Sequence, residues 1–76
     1  MKNAEEQQKA RDKAYADAVR QGDSLLNLKK YVDSKNAFNQ ALAVKAKEAY
    51  PKQKIAEIDK LLDQQKAYML GLFLAY

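Results

Sequence analysis

The sequence has no cysteine, no histidine and no tryptophan, a single proline at Pro51 and only two glycines. Without Cys there is neither a disulfide staple nor a thiolate nucleophile, and without His the commonest metal ligand and general base is missing. Zinc fingers, cysteine hydrolases and Ser-His-Asp chemistry are thereby excluded. Arginine occurs only at Arg11 and Arg20, too sparse for a face that reads bases or clamps phosphates. No Gly-rich phosphate loop is present. Carboxylate pairs such as Asp59 and Asp63 read as solvated surface acids. The expectation is a chain that is not an enzyme and uses no cofactor and no metal.

What remains is helix-forming. Ala, Lys, Leu, Gln, Glu and Asp dominate the 76 residues, and few positions oppose helical propensity. A chain of this length makes one small domain, whose core supplies only ~3–5 kcal/mol of net stability, so support from neighbouring repeats or from association is expected. The 14 basic and 10 acidic residues leave a net charge of +4, interleaved along the chain. That pattern reads as a solvated mixed-sign surface and disfavours a nucleic-acid partner. The first residues, MKNAEEQQKARDK, lack the apolar core of a secretory signal peptide, so the chain as it stands is expected in the cytoplasm.

Residues 1–14 are polar helix formers, with Glu5 and Lys9 in favourable i, i+4 order, and read as a helical extension, with a disordered tail as the alternative. From Ala14 an apolar face emerges at Ala14, Tyr15, Ala18, Val19, Gly22, Leu25 and Leu26, the three- and four-residue steps of a first packed helix. Gly22 in mid-helix costs ~1 kcal/mol relative to Ala, which calls for close approach of a neighbouring helix. A turn is expected over Asn27–Tyr31, then a second helix from about Val32 to Lys47, with Asp33 in its first turn. The inward face of this helix is read as Tyr31, Ser34, Phe38, Ala41, Leu42 and the stem of Lys45. Pro51 suits the first position of a third helix, with Tyr50 before it pushed toward an extended conformation. The third helix presents Ile55, Ile58, Leu61, Leu62, Tyr68, Met69 and Leu72. The module proper is read as residues 15–66, with Tyr31, Phe38, Leu42, Ile55, Ile58 and Leu62 as its core.

Gly22, Leu25, Tyr31, Phe38 and the Ala41-Leu42 pair follow the order and spacing of a tetratricopeptide repeat, which the chain resembles over roughly residues 15–65. The segment KKYVDSKNAFNQALAVKAKEAYPKQKIAEIDKLL is similar to a variant of that repeat common in large multi-domain proteins of Bacteroidetes-type bacteria. There Lys-x-Tyr and Ala-Leu precede Tyr-Pro-x-x-Lys-Ile and an acidic-Ile pair. The resemblance implies an all-α fold, an antiparallel helical hairpin plus a third C-terminal helix, and a scaffold that binds a protein or peptide. Carried over position by position, it implies a groove formed by Ala16, Val19, Arg20, Asp23, Leu26 and Asn27, for which ordinary surface is the plain alternative. Asp23 stands where a carboxylate-clamping version would have Asn, so clamping of a peptide C-terminus is not expected. Three departures from the pattern are Ser34 in place of Ala, Lys29 in place of a helix-closing Gly, and a late proline. The first two imply a looser hairpin; the third implies a longer second helix or a distinct loop. Gln7-Gln8-Lys9-Ala10 is echoed by Gln64-Gln65-Lys66-Ala67, as a piece cut from a tandem array would show, although plain continuation of the third helix explains the same positions without any repeat.

Residues 67–76, AYMLGLFLAY, form the longest apolar run, which one buried face of a helix cannot satisfy. Ten residues are too few to span a bilayer, which takes ~20. The run either closes the core of the hairpin or pairs with another copy to give a homo-oligomer, through Tyr68, Met69, Leu70, Leu72, Phe73, Leu74 and Tyr76. It also reads as the stub of a next repeat. A third reading, not favoured, is anchoring at a membrane interface, for which Tyr68 and Tyr76 are suited but Lys66 is the nearby positive charge.

Overall fold

The computed structural model describes the backbone of residues 4–74 and the surroundings of the side chains of residues 4–66. Three helices follow one another: α1 (Ala4–Asn27), α2 (Tyr31–Val44) and α3 (Ala49–Leu74), with no strand among the described residues. The polar extension and the first packed helix are thus one continuous helix of 24 residues, opened by Glu5 and Glu6, which favour its positive dipole end.

Side-chain pairings fix the direction of packing. Ser34, early in α2, bonds Gly22, late in α1, while Lys45, just after α2, meets Asp12 on α1. Sequence number rises along one helix as it falls along the other, so α1 and α2 form an antiparallel hairpin. Lys35 pairs with Asp59 and Phe38 meets Tyr50, so α2 and α3 are antiparallel as well. The fold is all-α, a hairpin plus a third helix.

The core is thin and built on small residues. Ala18 and Gly22 of α1, Ser34, Ala37, Phe38 and Ala41 of α2, and Pro51 and Ile58 of α3 are buried. Phe38 is the central side chain. A Cβ at Gly22 would lie 2.8 Å from the Phe38 ring, so the glycine is where the ring lies against the α1 backbone. Next to it the Ser34 hydroxyl donates to the Gly22 carbonyl at 2.7 Å. Far from loosening the hairpin, Ser34 ties it, because a buried hydroxyl that finds a carbonyl satisfies itself while it links two helices. Tyr31, Leu42, Ile55 and Leu62, read as core, are only half-buried, since each sits at the margin of a single layer of contact. Ala37 and Ala18 take the interior places instead.

The turns also differ from expectation in instructive ways. Lys29 has φ 61°, the left-handed conformation that Gly usually supplies. The Lys30 N–H donates to the Leu25 carbonyl and the Lys29 N–H to the Leu26 carbonyl, both at 2.9 Å, the paired bonds of a Schellman closure. The turn is therefore made in full with a residue that is strained in it. α2 ends at Val44, three residues short of Lys47, because Lys45 leaves helical geometry with φ −133° and ψ 88°. The late proline follows a distinct loop over residues 45–48, and α2 is no longer than 14 residues. α3 begins at Ala49, so Tyr50 is helical, not extended, and Pro51 falls within the first turn. Any of the first four positions of a helix lacks an intrahelical N–H partner, which is why proline fits there.

The helices are staggered. Lys35 opposite Asp59 brings Tyr31, the first residue of α2, opposite Asp63, and α3 runs on to Leu74. The Lys45–Asp12 contact leaves residues 4–11 of α1 beyond the other end of α2. The molecule is accordingly 66 Å long, against about 39 Å for α3 itself at ~1.5 Å per residue.

Candidate interaction surfaces

Two places bear on binding: the α1–α3 face, and the part of α3 that outruns α2. On the first, Val19, Asp23 and Leu26 are half-buried, whereas Ala16, Arg20 and Asn27 are exposed. The first three lie at i, i+4 and i+7, one stripe of a helix, and Asp23 fixes where that stripe points. Its carboxylate accepts a hydrogen bond from the Tyr50 hydroxyl at 2.8 Å, across from α1 to the first turn of α3. The Tyr50 ring stands edge-on to Phe38, with centroids 6.2 Å apart and planes at 73°, a favourable aromatic geometry. Lys54 lies 5.5 Å from the centre of the same ring and pairs with Glu57 at 3.3 Å. Glu57 is thus engaged one turn N-terminally, by Lys54. Arg20 approaches Asp17 at 3.8 Å along its own exposed helix surface, a weak contact at that separation.

The groove residues read from the sequence are therefore split. Half of them form a half-buried stripe tied to α3 through the Asp23–Tyr50 bond, and half form the neighbouring exposed stripe. Open depressions lie elsewhere: one is bordered by Gln7, Ala10, Ala14, Ala43 and Val44, another by Gln21, Leu25, Asn36, Ala37 and Gln40. Tyr50 was not among the sequence-read site residues. Its link to Asp23 joins positions 27 apart, for which a single sequence holds no signal.

The electrostatics of this region follow from those contacts. The Tyr50 hydroxyl is pushed above the ordinary phenol range, first by its hydrogen bond to Asp23, then by burial and by the Asp23 and Glu57 charges. Lys45 is raised chiefly by its hydrogen bond to Asp12, at 2.6 Å, while its ammonium lies 5.1 Å from the centre of the Tyr15 ring. Tyr15 is raised by burial and then by Glu48, with Lys45 opposing. None of these is a group tuned toward neutral pH for acid–base work. Among the described residues no cluster of three or more acids is placed to hold a metal ion.

No family model, no curated protein and no solved structure matches the chain.

At the second place, α3 passes the head of α2 at Asp63 and carries Tyr68, Met69, Leu70, Leu72, Phe73 and Leu74 on helical backbone. The surroundings of those side chains, and Tyr76 altogether, lie outside the described residues. Leu28 and Val32, at the turn and head of α2, are 66% and 60% exposed, and they sit at the same end of the molecule. No described helix is long and apolar enough to cross a membrane.

Proposed function

We propose that the chain is a non-catalytic interaction module of helical-repeat type that assembles through the C-terminal part of α3. The observation that carries this reading is the stagger. The most apolar sequence in the chain lies on the part of α3 beyond the first residue of α2. A helix end of that composition in water gains ~25 cal/mol for each Å² of apolar surface it covers. A protein surface is the cover this reading assigns. The α1 stripe of Val19, Asp23 and Leu26 is a second, weaker surface, suited to a peptide when several modules stand in line.

The mass of the chain in solution tests the reading. An intact chain that forms a defined oligomer, beside a folded monomer for the version ending at Gln65, is the expected result. Two folded monomers would remove the assembly role from α3 and leave only the α1 stripe.

A further inference from the structure

The turn between α1 and α2 is made of residues that serve the fold poorly. Lys29 takes φ 61°, where Gly would sit without strain. Lys30 occupies the N-cap of α2 and makes no side-chain cap bond, where Ser, Thr, Asp or Asn would make one. Leu28 before them and Val32 after them are 66% and 60% exposed. Both lysine side chains are exposed as well, and neither enters the ion pairs of the described residues. One exposed leucine is ordinary surface. Two aliphatic and two cationic side chains within residues 28–32, none of them used inside the chain, are a local conflict of the kind that marks a contact surface.

We propose that this turn docks the chain on an anionic phospholipid surface. Leu28 and Val32 enter the boundary between headgroups and acyl chains, while the ammonium groups of Lys29 and Lys30 stay on their flexible stems at the level of the phosphates. Side chains that project this far from a turn would need a matching pocket in a folded partner, whereas a fluid surface shapes itself to them. The nearby acids do not cancel the charge. Asp33 borders the depression with Gln21, Leu25 and Asn36 between α1 and α2, to one side of the turn. Asp63, opposite Tyr31 on α3, has Lys60 and Lys66 three residues away on either side. The contact uses a segment distinct from the C-terminal run and does not depend on assembly through α3. Assembled copies bring several turns to one surface, which strengthens an attachment that is weak for each alone.

The full chain has no tryptophan, so Val32→Trp, at an exposed position, places a fluorescent reporter at the contact itself. With phosphatidylcholine–phosphatidylserine vesicles its emission is expected to shift to the blue and to be shielded from acrylamide, and with phosphatidylcholine alone to stay as in buffer. Each lysine removed should weaken attachment about fivefold. Lys29→Gly is therefore expected to bind such vesicles about fivefold less well while it unfolds at higher urea, and a merely structural role moves only the second readout. The double variant Lys29→Gln, Lys30→Gln should lose about 25-fold in attachment and keep the solution mass of the intact chain, which separates this test from that of α3 assembly. Equal attachment to both kinds of vesicle overturns the proposal, as does a reporter left unshifted on vesicles that carry the chain. A chain that binds neither kind overturns it too, and a reporter that responds only to polyglutamate assigns the turn to an acidic protein partner instead.

Discussion

Gly22, Ser34 and Lys29 show how single residues set the hairpin. Gly22→Ala adds a methyl group 2.8 Å from the ring of the fully buried Phe38. Overpacking costs ~1–3 kcal/mol, set against the ~1 kcal/mol of helix propensity that Ala gains. Net destabilisation of up to about 2 kcal/mol is expected in urea unfolding, and a more stable variant would contradict the contact. Ser34→Ala removes the donor to the Gly22 carbonyl and is expected to cost about 1 kcal/mol. Lys29→Gly should act in the opposite direction. It relieves a side chain held at φ 61° and should stabilise by about 0.5–1 kcal/mol after the entropy that Gly adds to the unfolded chain. Reading the sequence alone finds that Gly22 needs a close neighbour, because a mid-helix glycine has a cost that something must offset. It misreads Ser34, because whether a hydroxyl on a helix face is a defect or a tie depends on the carbonyl opposite, which the sequence does not display.

For the helices, periodicity was informative and boundaries were less so. All three are visible as apolar steps of three and four, and the direction of the hairpin follows from the short turn. The end of α2 at Val44 is not visible, because AVKAKEAY holds no breaker and the helix stops for a tertiary reason: Lys45 leaves it and reaches Asp12. Tyr50 is misplaced for a similar reason, since the rule for a residue before proline yields where the proline sits inside the first helical turn. That placement lets Tyr50 link α3 to α1, and the link has a pH signature. Tyr50, Tyr15 and Lys45 are all raised from their ordinary values near 10. The folded state therefore holds these protons more tightly than the unfolded state does. Their contribution is complete below the unfolded values and is lost as pH rises through the folded ones. Thermal stability is expected to be flat between pH 8 and about 9.5 and to fall above pH ~10, with a shallower fall in Tyr50→Phe. Identical alkaline slopes in the two proteins would mean that the Asp23 bond makes no difference.

At the scale of the whole molecule the stagger is what matters. Residues 4–11 of α1 outrun α2 at one end, and α3 beyond Asp63 outruns it at the other. One overhang is polar and the other apolar. The composition of AYMLGLFLAY marks the second as anomalous in the sequence. The pairing of Lys35 with Asp59 sets the register of α3 against α2 and brings Asp63 opposite Tyr31. The six groove positions are legible only in part, because helical spacing groups Val19, Asp23 and Leu26 while only the Tyr50 contact shows which way they face. Removal of residues 66–76 should leave Phe38, Ile58 and the ties of Ser34 and Tyr50 untouched, so the shortened chain is expected to keep its helical circular dichroism. Light scattering after size exclusion, on the intact chain and on the version ending at Gln65, tests the central claim most directly. A concentration-dependent dimer for the intact chain and a folded monomer for the shorter one is the predicted result, and a monomer in both cases would contradict it.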